Sequence, residues 1–177
     1  MRPEKKEIRS NLAYLSLGSN IEPEKNLRAA VVLLCRFGRV LRVSTVWETQ
    51  PIDRSYQPAY LNAAVLLETG LSAETLRLQA IAQIETELGR TRTGDKFAPR
   101  TIDIDIMLFN RDILDIGHRH IPDSEIMERP FVAVTLAEIA PEYVHPENNL
   151  TLEQIASRID VEQSGMRQRG DINLITD

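Results

Sequence analysis

Residues 101–110 read TIDIDIMLFN, and this stretch decides the fold. Ile102, Ile104 and Ile106 alternate with Asp103, Asp105 and Met107. Side chains along a strand alternate between faces, so the three isoleucines share one side and the two carboxylates the other, with Met107 beyond them. Like charges this close repel, and burial makes the repulsion worse. Either a solvated sheet face carries them, or a cleft holds them around a cation.

Working outward, residues 12–18, LAYLSLG, read as a first strand ending in the turn signature Gly18, Ser19, Asn20. Pro23 opens a helix with Leu27, Ala30, Val31 and Leu34 as its apolar stripe, and Gly38 stops it. Residues 40–47 and 61–68 read as two further strands, separated by a loop holding Pro51 and Pro58. Ser72 caps a second helix running to about Leu88, with Leu76, Leu78, Ile81, Ile84 and Leu88 as its apolar positions and Gly89 at its end. After the strand of residues 101–110, Pro122 and Pro130 bracket a short segment. Residues 132–140 and 152–159 read as helices. The order β-α-β-β-α-β predicts an α+β fold, a split β-α-β sandwich with an antiparallel sheet, helices on one face and the other face free for a ligand.

The chain has 177 residues, 42% of them hydrophobic and 27% charged, which fits one folded domain. Residues 11–164 are expected to form it, with a loose extension at 1–10 and a flexible tail at 165–177, where Gly165, Arg167, Arg169 and Gly170 cluster. The 21 Lys and Arg against 26 Asp and Glu leave a net charge of -5, which argues against a large nucleic-acid footprint. No apolar run reaches transmembrane length and the charged start lacks a signal-type segment, so no membrane partner is expected and the cytoplasm is the default location. The single cysteine, Cys35, excludes an intramolecular disulfide and is expected as a core thiol.

Around the aspartates the chain is basic. Arg90, Arg92 and Lys96 precede the strand, Arg100 stands three residues before Asp103, and Arg129 lies near Phe131. Mg²⁺ is commonly held by one or two carboxylates plus substrate phosphates, and arginine forks suit phosphate oxygens. The same residues can also be salt bridges at a sheet edge. Neither GxxxxGK[ST] nor GxGxxG occurs. Tyr60 and Asn62 share a strand face, where they can stack on and pair with a flat heterocycle or serve as ordinary sheet residues. Phe131 is a core residue or a second aromatic over a ring. Thr49 is a donor or a turn residue, Trp47 is packing, Gly94 serves loop conformation, and Phe97 covers a nucleotide or anchors the loop.

Taken together, LSLGSN, TVWETQPI, YLNAAVLLET, IETELGRTRTGDKFAPRTIDIDIMLFN and RPFVAVTLAEIAPEYVHP resemble the 6-hydroxymethyl-7,8-dihydropterin pyrophosphokinase family over residues 12–146. The resemblance implies a ferredoxin-like domain that moves the terminal diphosphate of ATP onto the pterin hydroxymethyl group in folate biosynthesis. It implies two Mg²⁺ ions on Asp103 and Asp105, and phosphate contacts from Arg90, Arg92 and Arg100. Tyr60 and Phe131 would sandwich the pterin, with Thr49, Asn62 and the Ile52 backbone on its edge. Arg129 would reach the substrate-side phosphates, and Glu85 and Phe97 would stand near the nucleotide, Phe97 in place of a tryptophan.

The chain departs from the family pattern where Asp123 replaces a phosphate-contacting histidine, leaving His118 or His120 to compensate, and where Asp53 replaces a glycine after Ile52. An acid facing triphosphate should repel it, so a divergent paralog that binds pterin or nucleotide with weak or altered transfer is the alternative. A split-βαβ RNA-binding module is disfavoured by the acidic pair on the open face. A monomer is expected.

Overall fold

The computed structural model describes residues 10–51, 56–91 and 98–175. Strand β1 (Asn11–Ser19) leads through α1 (Pro23–Leu34) to β2 (Arg39–Val43), β3 (Trp47–Thr49) and β4 (Tyr60–Thr69). A helical arm follows in three consecutive segments, α2 (Ala73–Thr75), a π-helical stretch (Leu76–Ile81) and α3 (Ala82–Glu87), and leads to β5 (Asp103–Phe109). Then come the hairpin β6 (Leu114–Ile116) and β7 (Arg119–Ile121), α4 (Glu125–Glu128), α5 (Pro130–Ile139), α6 (Leu152–Ala156), α7 (Val161–Ser164) and β8 (Arg167–Gln168). The main sheet runs β5-β1-β4-β3-β8, with β2 also on β4, and its pairs are antiparallel. Among the described residues no helix is long and apolar enough to cross a membrane.

Alternation builds the first face as expected. Leu15 and Leu17, Ala63, Val65 and Leu67, and Ile102, Ile104 and Ile106 pack against α1 and the arm. The ends of these helices follow local chemistry. Pro23 enters α1 where its missing N–H costs nothing. Ser72 Oγ accepts from Thr75 N, and Gly89 adopts a φ of 73° past α3.

The second face is divided along each strand. On β1 its residues run Tyr14, Ser16, Gly18; on β4, Leu66, Ala64, Asn62; on β5, Met107 and Leu108, then Asp105 and Asp103. The apolar end packs under α4, α5 and α6 through Ile126, Val132, Leu136, Ile139 and Leu152. Helices therefore lie on both faces, and the cleft takes only the half of the second face that is polar.

Several expectations are corrected. The strand at 40–47 is interrupted, because Ser44 Oγ accepts from Ala64 N at 2.8 Å in place of a regular ladder bond. In the arm, Leu78 is 59% exposed, because two residues on from Leu76 the helix has turned about 200° away from the buried stripe of Leu76, Ala80 and Ile84. Cys35 is not a core thiol: it follows Leu34, the last inward residue of α1, and the next helical position turns about 100° away to solvent. The tail at 165–175 is not loose. There β8 pairs with β3, Arg169 N donates to Val46 O at 2.8 Å, and Ile172 and Leu174 are buried in the first core. Residues 1–9 lie outside the described residues.

Candidate active site

The cleft floor is a row across the sheet. Asp103 is paired with Gly18, Gly18 with Asn62 and Asn62 with Trp47; one step away lie Asp105 opposite Ser16 and Tyr60 opposite Thr49. A Cβ at Gly18 would sit 3.2 Å from Asn62 Oδ1, a tight contact to which the Asn62 amide would have to yield. The Asn62 amide is buried and fixed, its Nδ2 donating to Thr49 Oγ1 at 2.9 Å and to Trp47 O at 3.2 Å. Trp47 is packing, as expected, and its Nε1 donates to Glu138 of α5 at 2.8 Å. The cavity above this floor holds about 610 Å³ and is lined by Thr49, Tyr60, Asn62, Arg100, Asp103, Asp105, Arg129 and Phe131. That size suits a substantial ligand.

Both carboxylates point into the cleft, each gripped by two arginines. Asp103 accepts from Arg90 and Arg100. Asp105 is paired with Arg77 at 3.1 Å and Arg119 at 3.0 Å. Burial, then the Asp103 charge, pushes the Asp105 carboxyl up to about 6 despite Arg119 and Arg77. Four arginines thus surround the pair and offset the mutual repulsion of the two carboxylates. Among the described residues no third His, Cys, Asp or Glu joins the two in a metal-holding group. Two hard oxygen donors with the remaining shell left to water and phosphate fit Mg²⁺ and do not fit a closed zinc site.

Glu85 is buried behind this cluster. Its Oε1 accepts from Arg90 and from Ile104 N, the latter at 3.2 Å, so it holds Arg90 against β5 and does not form the cleft wall. Arg129, at the start of α5, lines the cleft with Phe131 and stands 3.5 Å from Glu125.

Gly18–Asn20 proves to be more than a turn. Asn20 Oδ1 accepts from Arg100 N at 2.7 Å, while Asn20 N and Ile21 N donate to Arg100 O at 3.1 and 3.2 Å. Asn20 Nδ2 donates to Gln57 Oε1 at 3.2 Å, tying down a second loop. Asn20→Ala strands the Arg100 amide and is expected to cost about 2 kcal/mol of stability. A urea midpoint within experimental error of the parent would remove this role.

Sequence reasoning missed Arg77, Arg119, Ser164 and Met166. Arg77 sits in the π stretch and Arg119 in an unforeseen hairpin, so neither is near the aspartates in sequence. Met166 reaches the cleft from the segment expected to be loose, and Ser164 from the last position of the expected domain. Asp123 is not on the cleft wall: it accepts from Arg119 at 3.1 Å and from Glu125 N at 3.0 Å. His118 and His120 line a neighbouring cavity, and His120 is bonded to Asp115 and Glu147, each at 2.8 Å. Ile52, Asp53, Arg92, Gly94, Lys96 and Phe97 lie outside the described residues.

A family model for 7,8-dihydro-6-hydroxymethylpterin-pyrophosphokinase (HPPK) matches residues 14–141. The 2-amino-4-hydroxy-6-hydroxymethyldihydropteridine pyrophosphokinase of Bacillus subtilis is 39% identical over 160 residues, 89% of this chain and 95% of that protein. The protein of the same name from Pseudomonas aeruginosa is 34% identical over 147 residues, 81% of this chain and 90% of that one. Wild-type HPPK-DHPS from Plasmodium falciparum, solved with pterin and p-hydroxybenzoate, superposes with a TM-score of 0.65 at 17% identity, over 87% of this chain and 44% of the other. That last likeness is one of fold.

Proposed function

The chain belongs to the 7,8-dihydro-6-hydroxymethylpterin-pyrophosphokinase family, and from that premise we propose that its cleft is where ATP and 6-hydroxymethyl-7,8-dihydropterin meet and diphosphate is transferred, in folate synthesis. The pterin hydroxymethyl oxygen forms a bond to the β-phosphorus of ATP. The bond from that phosphorus to the α–β bridging oxygen breaks, AMP leaves, and the hydroxyl proton passes to solvent. The observation that carries this reading is the meeting, in one cavity, of the arginine-gripped carboxylates with a wall bearing Thr49, Tyr60, Asn62 and Phe131.

Mg²⁺, two ions on Asp103 and Asp105, would neutralise phosphate charge and polarise the β-phosphorus when bound. The chain's own groups do the positioning. Arg90 and Arg100, with Arg92 outside the described residues, exchange carboxylate partners for phosphate oxygens as the polyphosphate arrives. Glu85 keeps Arg90 near the nucleotide, and Phe97 would lie over it. Tyr60 and Phe131 clasp the pterin ring, and Asn62, braced by Thr49, reads its edge beside the Ile52 backbone. Arg129 takes the substrate-side phosphates. The hydroxyl needs alignment more than a strong base, and none is assigned. The enzyme is taken to act as a monomer in the cytoplasm.

Purified protein with ATP and Mg²⁺ should form AMP only when the pterin is added. ADP as the pterin-dependent product would point to an ordinary kinase. Phe131→Ala and Tyr60→Ala should each raise the pterin KM by about tenfold, a stacking contact of 0.5–1.5 kcal/mol plus lost apolar burial, and leave the ATP KM within about twofold. Equal rises for both substrates would make the rings structural.

A further inference from the structure

Arg119 joins the cleft to the neighbouring cavity of about 570 Å³, and both are lined by it. One side of its guanidinium stands 3.0 Å from Asp105 Oδ1, and the other 3.1 Å from Asp123 Oδ2. Asp123 is itself fixed. Its Oδ1 accepts from Glu125 N at 3.0 Å, its backbone N donates to Met107 O at 2.9 Å, and its side chain is 9% exposed. The arrangement repeats one already described: Asp103 is met by Arg90, which Glu85 holds from behind, and Asp105 is met by Arg119, which Asp123 holds from behind. Each catalytic carboxylate thus faces one arginine with a second, buried anchor.

An arginine held only by Asp105 would be released when that carboxylate turns to other partners. Arg119 would not be, because Asp123 keeps one edge of the fork in place while the other edge becomes available. Resting on the reading of the cleft as a diphosphate-transfer site, we propose that Arg119 is a further ligand of the nucleotide polyphosphate and that Asp123 is the positioning residue that aims it. Asp123 is then no repulsive intruder. Its negative charge serves Arg119, and the cation that meets phosphate at this corner is supplied from β7.

The test uses the full chain with α,β-methylene ATP and Mg²⁺ in calorimetric titration, followed by steady-state assays. Arg119→Ala should weaken analogue binding and raise the ATP KM by about tenfold or more, the scale of a charge-assisted hydrogen bond, with the pterin KM within about twofold. Arg119→Lys should recover part of the loss, and its charged stem guards against an unfolded alanine variant. Asp123→Asn should lose less than Arg119→Ala and add almost nothing on top of it, because it acts through Arg119. Asp123→His should weaken nucleotide binding, since it sets a cation-forming ring against the guanidinium. Parental affinity and turnover in Arg119→Ala would overturn the proposal, as would an Asp123→Asn loss of the same size with and without Arg119. If the parent binds the analogue and Arg119→Ala does not, yet the parent transfers no diphosphate to the pterin, the proposed function fails and this inference stands.

Discussion

Asp103→Asn and Asp105→Asn should each reduce diphosphate transfer by about a thousandfold or more, the scale expected when a metal seat or a main source of charge stabilisation is removed. Stability should barely follow. Same-face neighbours on a strand stand about 7 Å apart, so the two carboxylates repel by about 2 kcal/mol at an effective dielectric of about 20. Removing one relieves that repulsion while leaving two arginines short of a partner, and the effects oppose each other. Circular dichroism and thermal melting of the variants at saturating Mg²⁺ separate the cases. A folded Asp105→Asn chain with near-parental turnover would remove that carboxylate from the chemistry.

Arg100→Ala should lower kcat by about a hundredfold while weakening α,β-methylene ATP by about tenfold or less, because charge builds on the phosphate oxygens during transfer and the ground state profits less. The structure motivates this through two contacts: Arg100 grips Asp103, and its backbone is clamped by Asn20. Single-turnover rates set beside titration decide the matter. Equal losses in both would make Arg100 an ATP anchor with no special part in transfer.

Much of this was legible in residues 101–110. Alternation alone placed three isoleucines in the core and two aspartates opposite, and the order of elements implied the split sheet. The division of the second face was also present in sequence, in the change from Asp103 and Asp105 to Met107 and Leu108, but its meaning depends on strand pairing. Only when Tyr14, Leu66 and Leu108 lie side by side does it become clear that α5 must cover that end. Local pattern could not show the tail. Ile172, Leu174 and Ile175 are three apolar residues among polar ones, and the burial of the first two comes from β8 finding the edge of β3. Arg77 escaped notice because it lies on the arm, 28 residues before Asp105, and Arg119 because a three-residue strand carries it. Asp123 was identified as a departure from family pattern, but its partner four residues earlier was not. Repulsion of phosphate was the expectation, and the geometry shows a carboxylate engaged with Arg119.

Transfer of an intact diphosphate is tested by following the phosphates. The protein is incubated with Mg²⁺, 6-hydroxymethyl-7,8-dihydropterin and ATP labelled separately at its β and γ phosphorus, and the products are separated. Both labels should arrive together on the pterin, one diphosphate for each unlabelled AMP released. Recovery of the γ label alone on the pterin with the β label in ADP, or of neither label on the pterin while AMP forms, would contradict it.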